Sequence, residues 1–276
     1  MLETATSIVH HPFVIQLGPL SLTGFGIAML GSFLIAQIVA QSVLAQRGQN
    51  PDVMADIVIA AVIGGLIGGK VYYAILTNDA SSLATRAGFV FWGGLIGGIL
   101  ATAAYMKFKK ISFMQISDAS APALGAAYAV GRTGCWAVGD DYGREWSSRF
   151  AVAFPDGAPP STVQNLTGEF FQAGLSDRAP TDIVAVYPTQ LFEVAMGLVM
   201  FAVLWRLRAH KHAAGWLFGA YCVLAGIERI IVEVFRAKDD RFFGPFTVAQ
   251  AIGLAFLVGG LIWMQMRRRP QALASA

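Results

Sequence analysis

The chain has 276 residues, of which 55% are hydrophobic and 13% charged, with a formal net charge of +3. Soluble domains carry about 25% charged residues, so this composition excludes an ordinary soluble globule and points to an all-α polytopic membrane protein. No basic run is interleaved with stacking aromatics, so nothing supports nucleic-acid binding.

Two cysteines, Cys135 and Cys222, cannot build a disulfide framework, and their spacing matches no metal motif. His10, His11, His210 and His212 are not spaced as intramembrane metal ligands, so neither metal nor cofactor is expected. No Lys or Arg precedes the first apolar run, so the N-terminus is expected to be retained rather than cleaved as a signal peptide.

Spanning a bilayer takes about 20 apolar residues. Seven segments qualify, at about 20–45, 53–76, 88–107, 116–138, 188–207, 214–236 and 246–266. They predict about seven transmembrane helices in a single membrane domain, 1–276. Lys and Arg favour the cytoplasmic side. Arg47, then Lys107, Lys109 and Lys110, then Arg206, Arg208 and Lys211, then Arg267, Arg268 and Arg269 fall on one side. The other side holds Arg86, with Lys238 and Arg241 diluted by Asp239 and Asp240. The N-terminus is therefore expected outside and the C-terminus in the cytoplasm. The connection 139–187 becomes a small extracytoplasmic head between helices four and five, at about 50 residues barely able to bury a core of its own. Within it Arg149–Phe154, RFAVAF, alternates as a strand and ends at a Pro-Asp-Gly turn.

GGLIGG occurs twice, at Gly64–Gly69 and Gly93–Gly98. Glycines four apart allow close helix packing. The other reading is a groove floor where a lipid chain meets bare backbone.

Charge inside the spans is costly. The sixth ends IERIIVEVFR, and at 100° per residue Arg229, Glu233 and Arg236 share one face while Glu228 points elsewhere. Three unpaired charges facing lipid would cost on the order of 8–10 kcal/mol, so this face must look inward. Arg236, near the span's end, could instead snorkel. Lys70, Arg132 and Glu193 are further intramembrane charges. Four cations against two anions, Glu193 and Glu233, imply an interior that attracts an anion. A phospholipid phosphate suits it, since guanidinium binds phosphate oxygens bidentately. An ion-pair lattice between helices is the alternative. The stretch Gly131–Trp146 adds Asp140, Asp141, Arg144 and Glu145 at the end of the fourth span.

At these residues the chain resembles the prolipoprotein diacylglyceryl transferase family over most of its length. The most specific element runs from Gly131-Arg132-Thr133-Gly134 to Tyr142-Gly143-Arg144. Pro188-Thr189-Gln190-Leu191-Phe192-Glu193 follows, then the Arg229, Glu233, Arg236 run. Ser117-Asp118 with Ala121-Pro122 is a weaker fourth match. The resemblance implies a bacterial inner-membrane enzyme that moves the diacylglyceryl group of phosphatidylglycerol to the lipobox cysteine thiol in a prolipoprotein signal peptide, releasing glycerol phosphate. It implies catalytic roles for Arg132, Arg229 and Asp140. It implies substrate binding by Arg236, Glu233, Arg144, Lys70, Gly143, Tyr142, Gln190 and Glu193.

The chain departs from the family pattern in several places. Trp92-Gly93-Gly94 stands where His-Gly-Gly is usual, Cys135 for Asn, Asp140 for Glu, Phe25 for Tyr, Lys70 for Arg and Tyr187 for His. With that His gone, the proton acceptor would be Asp140, Asp141 or a water. A covalent lipid intermediate on Cys135 is one further reading, a small buried side chain the other. The alternative function is a catalytically altered homologue that binds anionic phospholipid. Anion transport lacks the paired broken helices it would need.

Overall fold

The computed structural model describes residues 8–18, 20–85, 88–168, 174–175, 177–237, 241–243 and 246–268. Arg86, Lys238, Asp239, Asp240 and Arg269, on which the expected orientation drew, lie outside them. In chain order the elements begin with β1 (Ile8–Val9), β2 (Val14–Leu17), β3 (Leu20–Thr23) and α1 (Gly24–Gln46). Next come α2 (Val53–Thr77), a short 3-10 helix Ala80–Ala84, α3 (Phe91–Lys109) and α4 (Phe113–Val138). Then follow β4 (Val152–Ala153), α5 (Val163–Gly168), β5 (Ala185–Val186), α6 (Thr189–Leu207) and α7 (Trp216–Glu233). The chain ends with β6 (Arg241–Phe243), β7 (Phe246–Thr247) and α8 (Val248–Met266).

The protein is mostly helical rather than all-α, because short strands occupy the connections. Among the described residues four helices, α1, α2, α6 and α8, are long and apolar enough to cross a membrane. Long helices also cover the other three expected segments. Among these, α4 carries Asp118 and Arg132, and α7 carries Glu228, Arg229 and Glu233. The expected first segment starts too early, because Leu20–Thr23 pairs with Val14–Leu17 as a hairpin before the helix begins. The sixth ends too late, because α7 stops at Glu233 and Arg236 lies in an isolated bridge beyond it.

Two compact units are distinguished: Gln37–Ser120, and Met1–Ala36 with Ala121–Ala276. In the first, α2 and α3 pack through the two GGLIGG copies. A Cβ on Gly64 would come 2.5 Å from the Gly97 carbonyl oxygen, and one on Gly97 would come 2.9 Å from Gly68 Cα. These glycines face the neighbouring helix, so they do not form a bare lipid groove. The same unit holds an ion pair of Arg47 Nη1 with the fully buried Asp118 Oδ2 at 3.3 Å.

In the second unit α7 and α8 meet at Gly226 with Gly253 and at Gly219 with Gly260. Gly197 of α6 lies against Ala129 of α4. The segment after α4 folds into a small mixed lobe. β4 pairs parallel with β1 and antiparallel with β5. Val152, Phe154, Leu166, Val184 and Val186 fill its core. RFAVAF is only partly strand, because Ala151 N–H closes a turn on the Ser148 carbonyl at 2.9 Å. The Pro-Asp-Gly turn is present, with Gly157 N–H donating to the Phe154 carbonyl at 3.3 Å.

Candidate active site

The site is built where α4 ends. Gly139, at φ +70°, takes the left-handed conformation that stops a helix, and its N–H returns to the Cys135 carbonyl at 2.9 Å. Asp141 follows at φ +54°, uncommon for a residue with a Cβ and best tolerated by Asn and Asp. This double turn brings the Asp141 carboxylate to Arg132, one helical stretch back.

The loop is stitched to two other elements. Gly143 N–H donates to the Tyr187 carbonyl at 2.8 Å, just before α6, and Arg144 N–H to the Phe235 carbonyl at 3.0 Å, just after α7. A Cβ on Gly143 would strike the Phe235 carbonyl and approach Tyr187 Cβ to 2.7 Å, so only glycine fits. Two side chains at the start of α6 hold the acidic pair from below. Gln190 Nε2 donates to the Asp140 carbonyl at 2.6 Å and the Thr189 hydroxyl to the Asp141 carbonyl at 2.7 Å.

Arginines and carboxylates interleave around this loop. Asp141 bridges two guanidinium groups: Oδ2 accepts from Arg132 Nη1 at 2.7 Å and Oδ1 from Arg236 Nη2 at 2.7 Å. Fully buried Glu193 places Oε1 2.8 Å from Arg132 Nη2 and 3.9 Å from Arg236 Nη1. Arg229 Nη2 pairs with Glu233 Oε2 at 2.8 Å, and Arg236 Nε lies 3.9 Å from the same oxygen. Arg236 does not snorkel: its side chain is 11% exposed and turned onto Asp141.

The arrangement differs from the sequence expectation in its charge. Three arginines meet Asp141, Glu193 and Glu233 directly, with Asp140 and Glu228 close by, so among the described residues the cluster has no cation excess. Lys70 belongs to the other unit, where its ammonium donates to the Thr85 carbonyl at 2.6 Å and the Ser82 carbonyl at 3.3 Å. Tyr142 is a core residue of the lobe, stacked on Phe154 with its hydroxyl donating to the Pro160 carbonyl at 2.9 Å. Arg144 is exposed.

Glu228 was expected to point elsewhere, and it does leave the Arg229 face. It turns inward, however, and meets the Tyr128 hydroxyl at 2.7 Å. Sequence reasoning overlooked Tyr128, Glu228 and Thr189 as members of the site. A signal existed for Tyr128: it lies four residues before Arg132, one helical turn, and its ring stands 5.4 Å from that guanidinium.

Several buried polar atoms remain without a hydrogen-bond partner among the described residues: Asp140 Oδ1, Gln190 Oε1, Glu193 Oε2 and Arg236 Nη1. Buried polar groups are usually satisfied, so these atoms are exceptions within the lattice. Burial, then the neighbouring Asp141 charge, pushes the Asp140 carboxyl up to about 6. Burial also acts upward on Asp141, but Arg236 and Arg132 outweigh it and hold that carboxyl at about 2. Potential ligand atoms of Cys135, Asp140 and Asp141 lie within 4.8 Å of one another. The two arginines on Asp141 oppose a metal cation there. Cys135 itself is buried, with Sγ 3.5 Å from Arg132 Nη1.

Apolar spanning helices that carry a buried arginine–carboxylate lattice at one helix end define a multi-pass membrane protein. The sequence pattern of prolipoprotein diacylglyceryl transferases matches residues 12–266, and the chain belongs to that family. It is 31% identical over 275 residues to the phosphatidylglycerol–prolipoprotein diacylglyceryl transferase of Corynebacterium diphtheriae, covering 94% of each chain. The enzyme of the same name from Nostoc sp. is 27% identical, over 94% of this chain and 91% of the relative. That of Xanthomonas campestris pv. campestris is 29% identical, over 95% and 93%.

Proposed function

We propose that this chain transfers the diacylglyceryl group of phosphatidylglycerol to the lipobox cysteine thiol of prolipoproteins. The observation that carries the reading is the pairing of Arg132 and Arg236 on one carboxylate, Asp141, within this family's frame. Two guanidinium groups that hold two carboxylate oxygens can equally hold two phosphate oxygens. Asp141 is the most exposed acid of the lattice at 39%, so it is the partner a phosphate displaces.

The chemistry follows from that exchange. The substrate's thiolate attacks the glyceryl carbon bonded to the phosphate oxygen. The C–O bond breaks and its electron pair leaves on glycerol phosphate. Arg132 and Arg236 stabilise the charge growing on that oxygen, while Arg229 acts through Glu233, which links it to Arg236. Asp140 takes the thiol proton. It suits the task because its Oδ1 is unpartnered and its carboxyl titrates at about 6. Gln190 and Glu193 hold Asp140 and Arg132 in place, Gly143 and Tyr142 hold the loop, and exposed Arg144 meets the departing glycerol phosphate. Lys70 steadies the turn after α2.

The finer arrangement belongs to the same reading. All seven long helices cross the bacterial inner membrane as one membrane domain, 1–276, with the N-terminus outside and the C-terminus cytoplasmic. The 139–187 lobe is an extracytoplasmic head, which puts the α4 terminus where an exported thiol arrives.

The test is lipidation of a lipobox peptide by purified protein in phosphatidylglycerol vesicles, read as a thioether product by mass spectrometry. Wild type is expected to make product and Arg132→Ala to lose it. Folded wild-type protein that binds phosphatidylglycerol but makes no thioether with any of a range of peptides would leave a lipid-binding homologue instead.

A further inference from the structure

Tyr128 of α4 stands between two acids. Its hydroxyl lies 2.7 Å from Glu228 Oε1 and 3.1 Å from Glu193 Oε1. A phenol has one proton to donate and lone pairs with which to accept. If both glutamates were ionised, only one contact could be a hydrogen bond, and the other would set lone pair against lone pair. Both acids are buried, where two like charges around one small group are held apart by keeping a proton on one of them.

Their other partners decide which one carries it. Glu193 Oε1 faces Arg132 Nη2 at 2.8 Å and Arg236 Nη1 at 3.9 Å, so its negative charge is matched. Glu228 makes no ion pair among the described residues. Its charged and titratable neighbours are Tyr128 and Arg132 from α4, Glu193 from α6, Tyr221 and Arg229 on its own helix, and Arg236 beyond that helix's end. Of these, Arg229 is already engaged by Glu233 at 2.8 Å.

We propose that Glu228 is held as a neutral carboxylic acid that donates to the Tyr128 hydroxyl, which in turn donates to ionised Glu193. The chain of protons runs in one direction and ends on the acid that faces Arg132. Glu228 is then a positioning residue. It fixes the Tyr128 hydroxyl rotor, and Tyr128 aims Glu193 while its ring stands 5.4 Å from the Arg132 guanidinium. The consequence for turnover rests on the transferase reading; the protonation state does not.

Infrared spectroscopy of the purified, lipid-embedded protein tests it without turnover. At pH 8, well above the Asp140 value of about 6, wild type should show a protonated-carboxyl carbonyl band that shifts in D2O. Glu228→Gln should abolish the band and Asp140→Asn should keep it. No band in wild type, or a band lost in Glu193→Gln but kept in Glu228→Gln, overturns the proposal. In the lipidation assay Glu228→Gln can still donate to Tyr128, so it should turn over about tenfold faster than Glu228→Ala. Equal rates for the two variants would remove the positioning role. A chain that lipidates no peptide would sink the transferase reading and leave the infrared result standing.

Discussion

Asp140 and Asp141 are adjacent, chemically identical and held in opposite states by their surroundings. Asp141 faces two arginines and stays ionised; Asp140, deprived of water and next to that charge, titrates at about 6. As the proposed proton acceptor, Asp140 would work only when ionised, so the rate is expected to fall about tenfold per pH unit below about 6. Asp140→Asn should remove this acidic limb and lower the rate above it; a wild-type profile flat down to pH 5 would exclude Asp140 as the base. Arg132→Ala should lower kcat/KM by about 100-fold or more, the scale of losing a donor to a developing oxyanion. Gly143→Ala separates folding from chemistry. Its methyl would overlap the Phe235 carbonyl, and overpacking of this kind costs about 1–3 kcal/mol. A lowered melting temperature is the measurement that checks it.

At the scale of elements, two kinds of contact join the helices. Glycine faces join α2 to α3 and α7 to α8, where backbone meets backbone. Gly97→Leu should therefore push α2 and α3 apart and lower thermal stability, while Gly259→Leu, with nothing within 4 Å, should not. Equal effects would show that helix propensity, not packing, dominates. Ionic contacts do the other part. Asp118 is fully buried with Arg47 beside it, and breaking a buried pair costs about 3–5 kcal/mol. Asp118→Ala is expected to reduce the yield of folded protein in detergent, and the double variant with Arg47→Met to recover part of it. The lobe after α4 shows why a strand read from alternation alone can be too long. Arg149–Phe154 has the alternating pattern, yet the turn on Ser148 leaves only Val152 and Ala153 to pair.

For the whole molecule, the proposed topology puts the lobe and the α4 terminus on the side where exported prolipoproteins arrive. A periplasm-dependent reporter fused after Pro160 should be active, and one fused after Lys110 inactive; the reverse pattern would invert the orientation. Apolar runs of about 20 residues already determined where the long helices lie, because the bilayer leaves an apolar chain few other ways to satisfy its backbone. The repeated glycines and the arginine positions were equally legible, since both follow from local spacing. What only the tertiary structure decided is who meets whom. Glu228 looked misplaced on a helical wheel because its partner, Tyr128, is 100 residues away in sequence. Among the described residues the expected excess of positive charge vanished because Asp141 folds back through a left-handed turn onto Arg132 and Arg236, and no periodicity encodes that turn. Spacing along one helix is a local property of the chain, whereas the pairing of charges is set by chain reversals and by contacts between helices far apart in sequence.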